Sequence, residues 1–189
     1  MQNAAVSAFM SARSLPPLVV IGTGVPAVAT DSPAGFSSIE TNGSGLISHR
    51  LDRPMQSGRF YWELLFAAGV LPGVTNEPFT HYDYAGWLTT KNSLLYSIGW
   101  QSKNWGAGEE NLTPAPEAGD RIGFMFDADT KIMSFRTNGE APSVSHDLSA
   151  QAGPFYAVFG WQVAPGSANE IRLGSAGCLY PPPPGYDYL

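Results

Sequence analysis

Side chains that could catalyse a reaction or bind a metal are few and widely spaced in this sequence. It contains three histidines, His49, His81 and His146. No two of them lie at a spacing that zinc ligands use, and no G-x-S-x-G nucleophile motif accompanies them. We therefore expect no catalytic residues and no histidine metal site, and we interpret the protein as a non-enzyme.

Two other patterns suggest a ligand but lack the context that it needs. Asp127 and Asp129 form a D-x-D pattern, but Lys131 follows where a calcium loop would continue with oxygen ligands. An Asx turn between two strands is the simpler interpretation.

The stretch "VVIGTGVPA" resembles a dinucleotide-binding loop, with Gly22, Gly24 and Ala27 at the fingerprint positions. Such a loop needs a helix directly after it, and "VATDSPAGFSS" has no helical period. We expect a glycine-rich β turn here, and no cofactor.

The composition excludes several classes of partner. Charged residues make up 14% of the chain, against about a quarter in an average protein, and the net charge is −6. There is no basic cluster, which argues against nucleic acid. Cys178 is the only cysteine, so no intramolecular disulfide can form. No apolar run reaches the length of about 18 residues that a membrane helix needs.

Aromatic side chains are concentrated in one long connection, and they form the candidate binding residues. Segment 67–92 is predicted to be a loop, and further tryptophans follow it. The candidate partner-binding residues are Phe79, His81, Tyr82, Tyr84, Trp87, Trp100 and Trp105. They could fold back onto the body of the protein, or they could form a binding surface, since Tyr and Trp are enriched where partners dock.

The elements that would carry this loop are strands. In "RFYWELLF" the alternation places Phe60, Trp62, Leu64 and Phe66 on one face, which is wholly apolar and should face the core. Tyr61, Glu63 and Leu65 lie on the other face. The stretch "DRIGFMFDADTKIMSFRTNGE" predicts a hairpin, followed by a turn at Asn138-Gly139.

Further strands are expected in "SLLYSIGW", "PFYAVFGW" and "NEIRLG". Residues 31–57 are rich in turn residues, and residues 101–118 are expected to be a loop. Short strands separated by turns indicate an all-β, antiparallel sandwich. We predict an N-terminal arm at 1–17, helical or extended, and a sandwich domain at 18–189. The domain would end in a proline-rich segment, "LYPPPPGYDYL", which must be extended.

These strands together resemble a SPRY domain, a concanavalin-like jelly roll. The hairpin is the most specific part, because its residues match the family pattern in order: Gly119, Asp120, Gly123, Asp127, Ser134, Phe135, Asn138 and Gly139. The stretch "SGRFYWELLF" resembles the family's Gly-basic-aromatic strand through Gly58, Tyr61, Trp62 and Glu63. The stretch "SIGW" resembles a second strand of the family, with Gly99 as the match. The resemblance covers residues 55–189 and implies a non-enzymatic binding module.

Three settings are compatible with such a module. The "SGRFYWE" and "PPPPGYDYL" variants resemble copies of the domain in bacteriophage structural proteins, which implies a virion protein that contacts capsid, tail or sister subunits. In that case we expect the Ala-rich start and the Pro-rich end of the chain to be held by partner chains. The alternatives are a cytoplasmic adaptor that binds a peptide motif, and a host-attachment module whose aromatic residues stack on a glycan.

Overall fold

The chain folds into two antiparallel β-sheets whose apolar faces share one core. The structure, a computed structural model, describes residues 20–21, 28–32, 36–40, 45–51, 53–66, 70–76, 93–96, 101–104, 109–111, 116–142, 144–163 and 168–189. The predicted arm at 1–17 lies outside these residues.

Strands account for nearly all of the regular structure in the described ranges. In chain order they are β1 (Val20–Ile21), β2 (Val28–Ser32), β3 (Phe36–Glu40), β4 (Gly45–Leu51), β5 (Arg59–Leu65), β6 (Val70–Thr75), β7 (Ser93–Tyr96), β8 (Gln101–Asn104), β9 (Glu109–Asn111), β10 (Arg121–Asp127), β11 (Ile132–Thr137), β12 (Val144–Asp147), β13 (Tyr156–Val163), β14 (Ala168–Arg172) and β15 (Asp187–Tyr188). One short helix, α1 (Gly174–Gly177), follows β14.

The strands of each sheet are ordered by crossovers as well as by hairpins. One sheet runs β1-β4-β13-β6-β7-β8-β9, and the other runs β12-β11-β10-β5-β14-β3-β2. The short strand β15 pairs with β5 in parallel, and it lies along the same edge of β5 as β14 but at the other end. The expected all-β sandwich is therefore confirmed.

The core joins the two sheets through large apolar side chains. Trp62, Leu64 and Phe66 of the β5 segment are buried in it, and Phe60 packs against it, as their alternation predicted. The Trp62 ring stacks on Phe124 of β10 with centroids 5.5 Å apart. The other sheet contributes residues that include Leu51, Val74 and Ala157.

Several segments that were expected to be loops contain strands. The expected loop 67–92 includes β6, which lies between β13 and β7, and the expected turn-rich segment 31–57 includes β3 and β4. Residues 101–118 include β8 and β9. The strands β3, β8 and β9 are short and rich in polar residues, β4 begins with a glycine, and β6 contains Pro72 and Gly73. Their local composition therefore resembles that of turns, and pairing with neighbouring strands defines them instead.

Both predicted turns are present. Asn138 and Gly139 have φ angles of 51° and 77°, and the N–H of Glu140 donates to the carbonyl of Thr137. This is the geometry of a type I′ turn, in which both central residues have positive φ. The turn at residues 128–131 joins β10 to β11, whose register pairs Asp127 with Ile132.

Candidate functional site

The aromatic residues that were predicted to bind a partner belong to segments that the structure does not describe. All seven lie outside the described residues: Phe79, His81, Tyr82, Tyr84, Trp87, Trp100 and Trp105. The strand that leads toward them is described only as far as Asn76. Their assignment therefore stays a prediction.

The D-x-D pattern at the β10–β11 turn has a structural role. One carboxylate oxygen of Asp127 accepts hydrogen bonds from the N–H groups of Asp129 and Thr130, and its other oxygen accepts from Arg59 Nε at 2.8 Å. Asp129 in turn accepts from the N–H of Gly58. This is the expected Asx turn, and it leaves these carboxylates engaged with the protein itself.

Hydrogen bonds to the Asp127 carboxylate shift its titration. Partial burial disfavours its charged form, but the hydrogen bonds from Thr130 and Arg59 outweigh this effect and lower the pKa of Asp127. Within the described ranges, no group of three or more His, Cys, Asp and Glu side chains could bind a metal. No helix there is long and apolar enough to cross a membrane.

The most elaborate polar arrangement lies on the outer face of β5, away from the core. Tyr61 and Glu63 project from this face, and both are 0% exposed. Arg136 of β11 lies two strands away, and Gly123 of β10 stands between them in register with both Glu63 and Arg136. We call the side chains of Tyr61, Glu63 and Arg136 the clamp.

Gly123 makes room for the clamp. A Cβ atom at this position would lie 2.6 Å from the Tyr61 hydroxyl oxygen and 2.8 Å from a ring carbon, which is closer than any side chain could tolerate. The missing side chain lets the Tyr61 ring lie across β10. The Arg136 guanidinium then sits 4.9 Å from the ring centroid and donates to the Tyr61 hydroxyl at 3.0 Å.

The clamp is buried because the C-terminal segment covers it. We call residues 178–189 the tail. Glu63 accepts the N–H of Leu179 on one carboxylate oxygen at 2.7 Å, and the N–H of Tyr180 on the other at 2.9 Å. The second oxygen also accepts the Tyr61 hydroxyl at 2.7 Å. Arg136 donates to the main-chain carbonyl of Pro181.

The far end of the tail attaches to the edge of the same strand. Residues 187–188 pair with 60–61 in parallel, and the N–H of Leu189 donates to the carbonyl of Tyr61 at 2.9 Å. The Tyr188 ring meets the Tyr61 ring edge-on, with centroids 6.2 Å apart. Between the two attachments, a turn with Gly185 at φ 84° links the carbonyl of Pro183 to the N–H of Tyr186.

Burial also raises the pKa values of two groups, Tyr61 beneath the tail and Cys178 at its start. It raises the pKa of the Tyr61 hydroxyl; Arg136 opposes this rise and Glu63 adds to it. Burial together with the Glu63 charge raises the pKa of Cys178 to about 12. Both groups are therefore neutral at ordinary pH, and Cys178 donates its S–H to the carbonyl of Arg172.

The sequence prediction placed Tyr61 and Glu63 on the outer face but missed the tail. The C-terminal segment was expected to be held by partner chains, whereas its described contacts are with its own sheet. One signal was available: Glu63 is an acidic residue within an otherwise apolar and aromatic strand. A carboxylate in such a place needs hydrogen-bond donors.

The comparison with protein-family models identifies one family. The sequence model of the SPRY domain matches residues 59–175, which is more than half of the chain. The match begins at β5 and ends within α1, so the tail lies beyond it. Comparison with curated proteins found no match.

Solved structures show the same fold at low sequence identity. The SPRY domain of human HERC1 is 21% identical, with a TM-score of 0.58 over 78% of this chain and 96% of that one. Another human SPRY domain is 17% identical, with a TM-score of 0.60 over 79% and 96% of the two chains. Stonustoxin is 17% identical, with a TM-score of 0.56 over 82% of this chain and 26% of its own.

Proposed function

Because the chain belongs to the SPRY family, whose domains are protein–protein interaction modules, we propose that it binds a protein partner through the segments that join its strands. The candidate contact residues are the aromatic set at positions 79–105. The proposed setting is a virion, in which the module contacts capsid subunits, subunits of the phage tail or sister copies. No catalytic step is part of this proposal, since SPRY domains are generally binding modules.

One observation carries the proposal: the motif residues of the family are engaged within the fold. Trp62 and Phe135 are in the core. Asp127 caps a turn, and Glu63 is covered by the tail. Side chains that are buried or hydrogen-bonded in this way do not contact a partner while the tail is docked, so the proposed partner surface consists of residues between the motifs.

The sequence supports the virion setting through its composition and its resemblance to phage copies of the domain. Only 14% of its residues are charged, and it contains 21 glycines and a single cysteine. A protein that spends its lifetime packed against sister subunits needs fewer charges for solubility than a free one. The peptide-adaptor and glycan-binding alternatives share the same aromatic residues and differ in the partner.

The experiment measures assembly. The full chain is examined by light scattering and electron microscopy, alone and with particles or lysate fractions from its source. Binding to a particle, lost on Trp87→Ala but kept on Leu179→Ala, is the expected result. Leu179 is a suitable control because it is apolar and 62% exposed but lies in the tail. A chain that stays monomeric and binds no particle, or that binds a glycan array instead, overturns the virion proposal.

A further inference from the structure

The tail contacts its sheet in the way that a bound peptide contacts a receptor. Four of the contacts use main-chain atoms of the tail: the N–H groups of Leu179, Tyr180 and Leu189, and the carbonyl of Pro181. A short parallel strand pairing adds to them. Recognition of an extended chain through main-chain hydrogen bonds, with pockets for alternate side chains, is a general mode of peptide binding.

Three tyrosines of the tail provide the side-chain contacts. The Tyr180 ring fills the space above Gly139, where a Cβ atom would lie 2.5 Å from a ring carbon. Arg59 lies over the Tyr186 ring at 5.8 Å, and Tyr188 meets Tyr61. The contacts with Gly139, Arg59 and Tyr61 therefore favour the tyrosines of this tail as well as an extended backbone.

The clamp needs an occupant. Without the tail, Glu63 would keep only the Tyr61 hydroxyl and would lose both N–H donors, and Arg136 would lose its carbonyl acceptor. Release of the tail would expose these groups to water, which would replace the lost hydrogen bonds at a small net cost for each one. The strand edge at residues 60–61 would also be unpaired, and an open strand edge attracts other chains.

The tail nevertheless contributes few side chains to the buried core. Its outer side faces solvent at Leu179, Pro181, Pro184, Gly185 and Asp187. Among its residues, Leu189 is the one that belongs to the buried core cluster as the structure describes it. Release of the tail would therefore leave the contacts between the two sheets largely intact.

We propose that the clamp is an exchangeable peptide site, which accepts the tail of a second copy of this chain in place of its own. An identical segment reproduces every contact described above, and exchange of an identical element between protomers needs no new interface. In dilute solution the chain's own tail occupies the site, because its tether gives it an effective concentration in the millimolar range. Where copies are crowded together, the tail of a neighbour competes with it.

The proposal concerns residues other than the aromatic set at 79–105, so it does not depend on their binding a partner. The clamp lies within the range that the family model matches, whereas the tail lies beyond it.

Two full-length variants test the exchange by complementation. The first carries Tyr180→Ala and Tyr188→Ala, which weaken its tail and leave the clamp intact. The second carries Glu63→Gln, which weakens the clamp and leaves the tail intact. We expect each variant alone to be monomeric by light scattering, and an equimolar mixture to form a one-to-one dimer. Adding the two tyrosine substitutions to the second variant should abolish the dimer. A mixture that remains monomeric overturns the proposal.

A peptide measurement covers the case in which a variant folds poorly. A fluorescent peptide with the sequence of residues 178–189 is titrated into wild type and into the first variant, each checked for cooperative thermal unfolding. We expect at least about tenfold tighter binding to the variant, because the competing tail is weakened. A peptide N-methylated at the positions of Leu179 and Tyr180 lacks the two donors to Glu63 and should not bind. Equal binding of the two peptides, or no gain over wild type, contradicts the proposal.

Discussion

At the scale of single residues, Glu63 links β5 to the tail, which lies beyond the range that the family model matches. Its two oxygens accept three hydrogen bonds, two of them from consecutive main-chain N–H groups of the tail. A carboxylate is suited to this task, because it offers acceptors in two directions and no donor. A neutral amide of the same shape would turn an N–H₂ group toward one of these donors.

Glu63→Gln should therefore destabilise the protein by about 1–3 kcal/mol, the cost of leaving a buried donor without an acceptor. The measurement is urea unfolding at neutral pH. Glu140→Gln is the matched control, because Glu140 is exposed and should change the free energy of unfolding by less than about 0.5 kcal/mol. Equal effects of the two substitutions would contradict the described role of Glu63.

Cys178 provides a second prediction at this scale. With its pKa raised to about 12, it should react with a thiol reagent at pH 8 roughly a thousandfold more slowly than an unperturbed cysteine. Glu63→Gln should accelerate the reaction, because it removes a nearby negative charge and loosens the tail. The rate is measured with a chromogenic disulfide under native conditions, with the urea-unfolded chain as reference. A native rate equal to the unfolded rate would show that the thiol is not buried.

At the scale of elements, two glycines that flank the β10–β11 hairpin have similar backbone conformations, but only one of them lies against the tail. Gly119 and Gly139 both have positive φ, at 99° and 77°. They differ in their surroundings, since a Cβ atom at Gly119 would meet nothing within 4 Å, whereas one at Gly139 would overlap the Tyr180 ring.

Gly119→Ala should cost about 1–2 kcal/mol from backbone strain alone. Gly139→Ala should cost more, because it adds a clash with Tyr180, and the excess should disappear in a Tyr180→Ala background. A double-mutant cycle followed by thermal or urea unfolding measures this coupling. If the two glycine substitutions cost the same, the Tyr180 ring does not occupy the described position.

The Asx turn between β10 and β11 predicts a dependence of stability on pH. The pKa of Asp127 is lowered in the folded state, so its charged form contributes stability above the unfolded pKa of about 3.9. That contribution is lost as the pH falls through the lower, folded pKa. Asp127→Asn keeps an acceptor for the turn but removes the charge that pairs with Arg59. The variant should therefore lose less stability than wild type between pH 5 and pH 2, as measured by urea unfolding across this range. Parallel pH profiles would contradict the assignment.

Apolar alternation and turn residues in the sequence predicted the strands of the sandwich core. The other strands form because they pair with neighbours that are distant in the sequence. The alternation of Phe60, Trp62 and Leu64 and the turn at Asn138 could be predicted, because each depends on local sequence. Strands such as β3 and β8 have little apolar alternation, so only their neighbours define them. The tail depends on contacts more than 100 residues apart in the chain, such as Leu179 with Glu63, which no local pattern contains.

At the scale of the whole molecule, the tail and β14 share one edge of β5. β14 pairs with residues 63–65 and β15 with residues 60–61. The central strand is therefore fully paired on this side only while the tail is docked. Each release of the tail leaves residues 60–61 of β5 without a strand partner on this side. Under the proposed exchange, the free energy that holds the tail in place therefore also determines how readily two copies associate.

The distance between the two attachments has a further consequence. Pro181 and Pro182 lie between the residues that bind Glu63 and the turn from Pro183 to Tyr186 that leads into β15. Proline holds φ near −65°, so this stretch stays extended and its length depends on the number of residues in it. It sets the distance between the attachment on the face of β5 and the attachment at its edge. Deleting a single proline would move Tyr186, Tyr188 and Leu189 out of phase with their contacts, whereas replacing one by another extended residue would not. In this segment, the number of residues matters more than their identity.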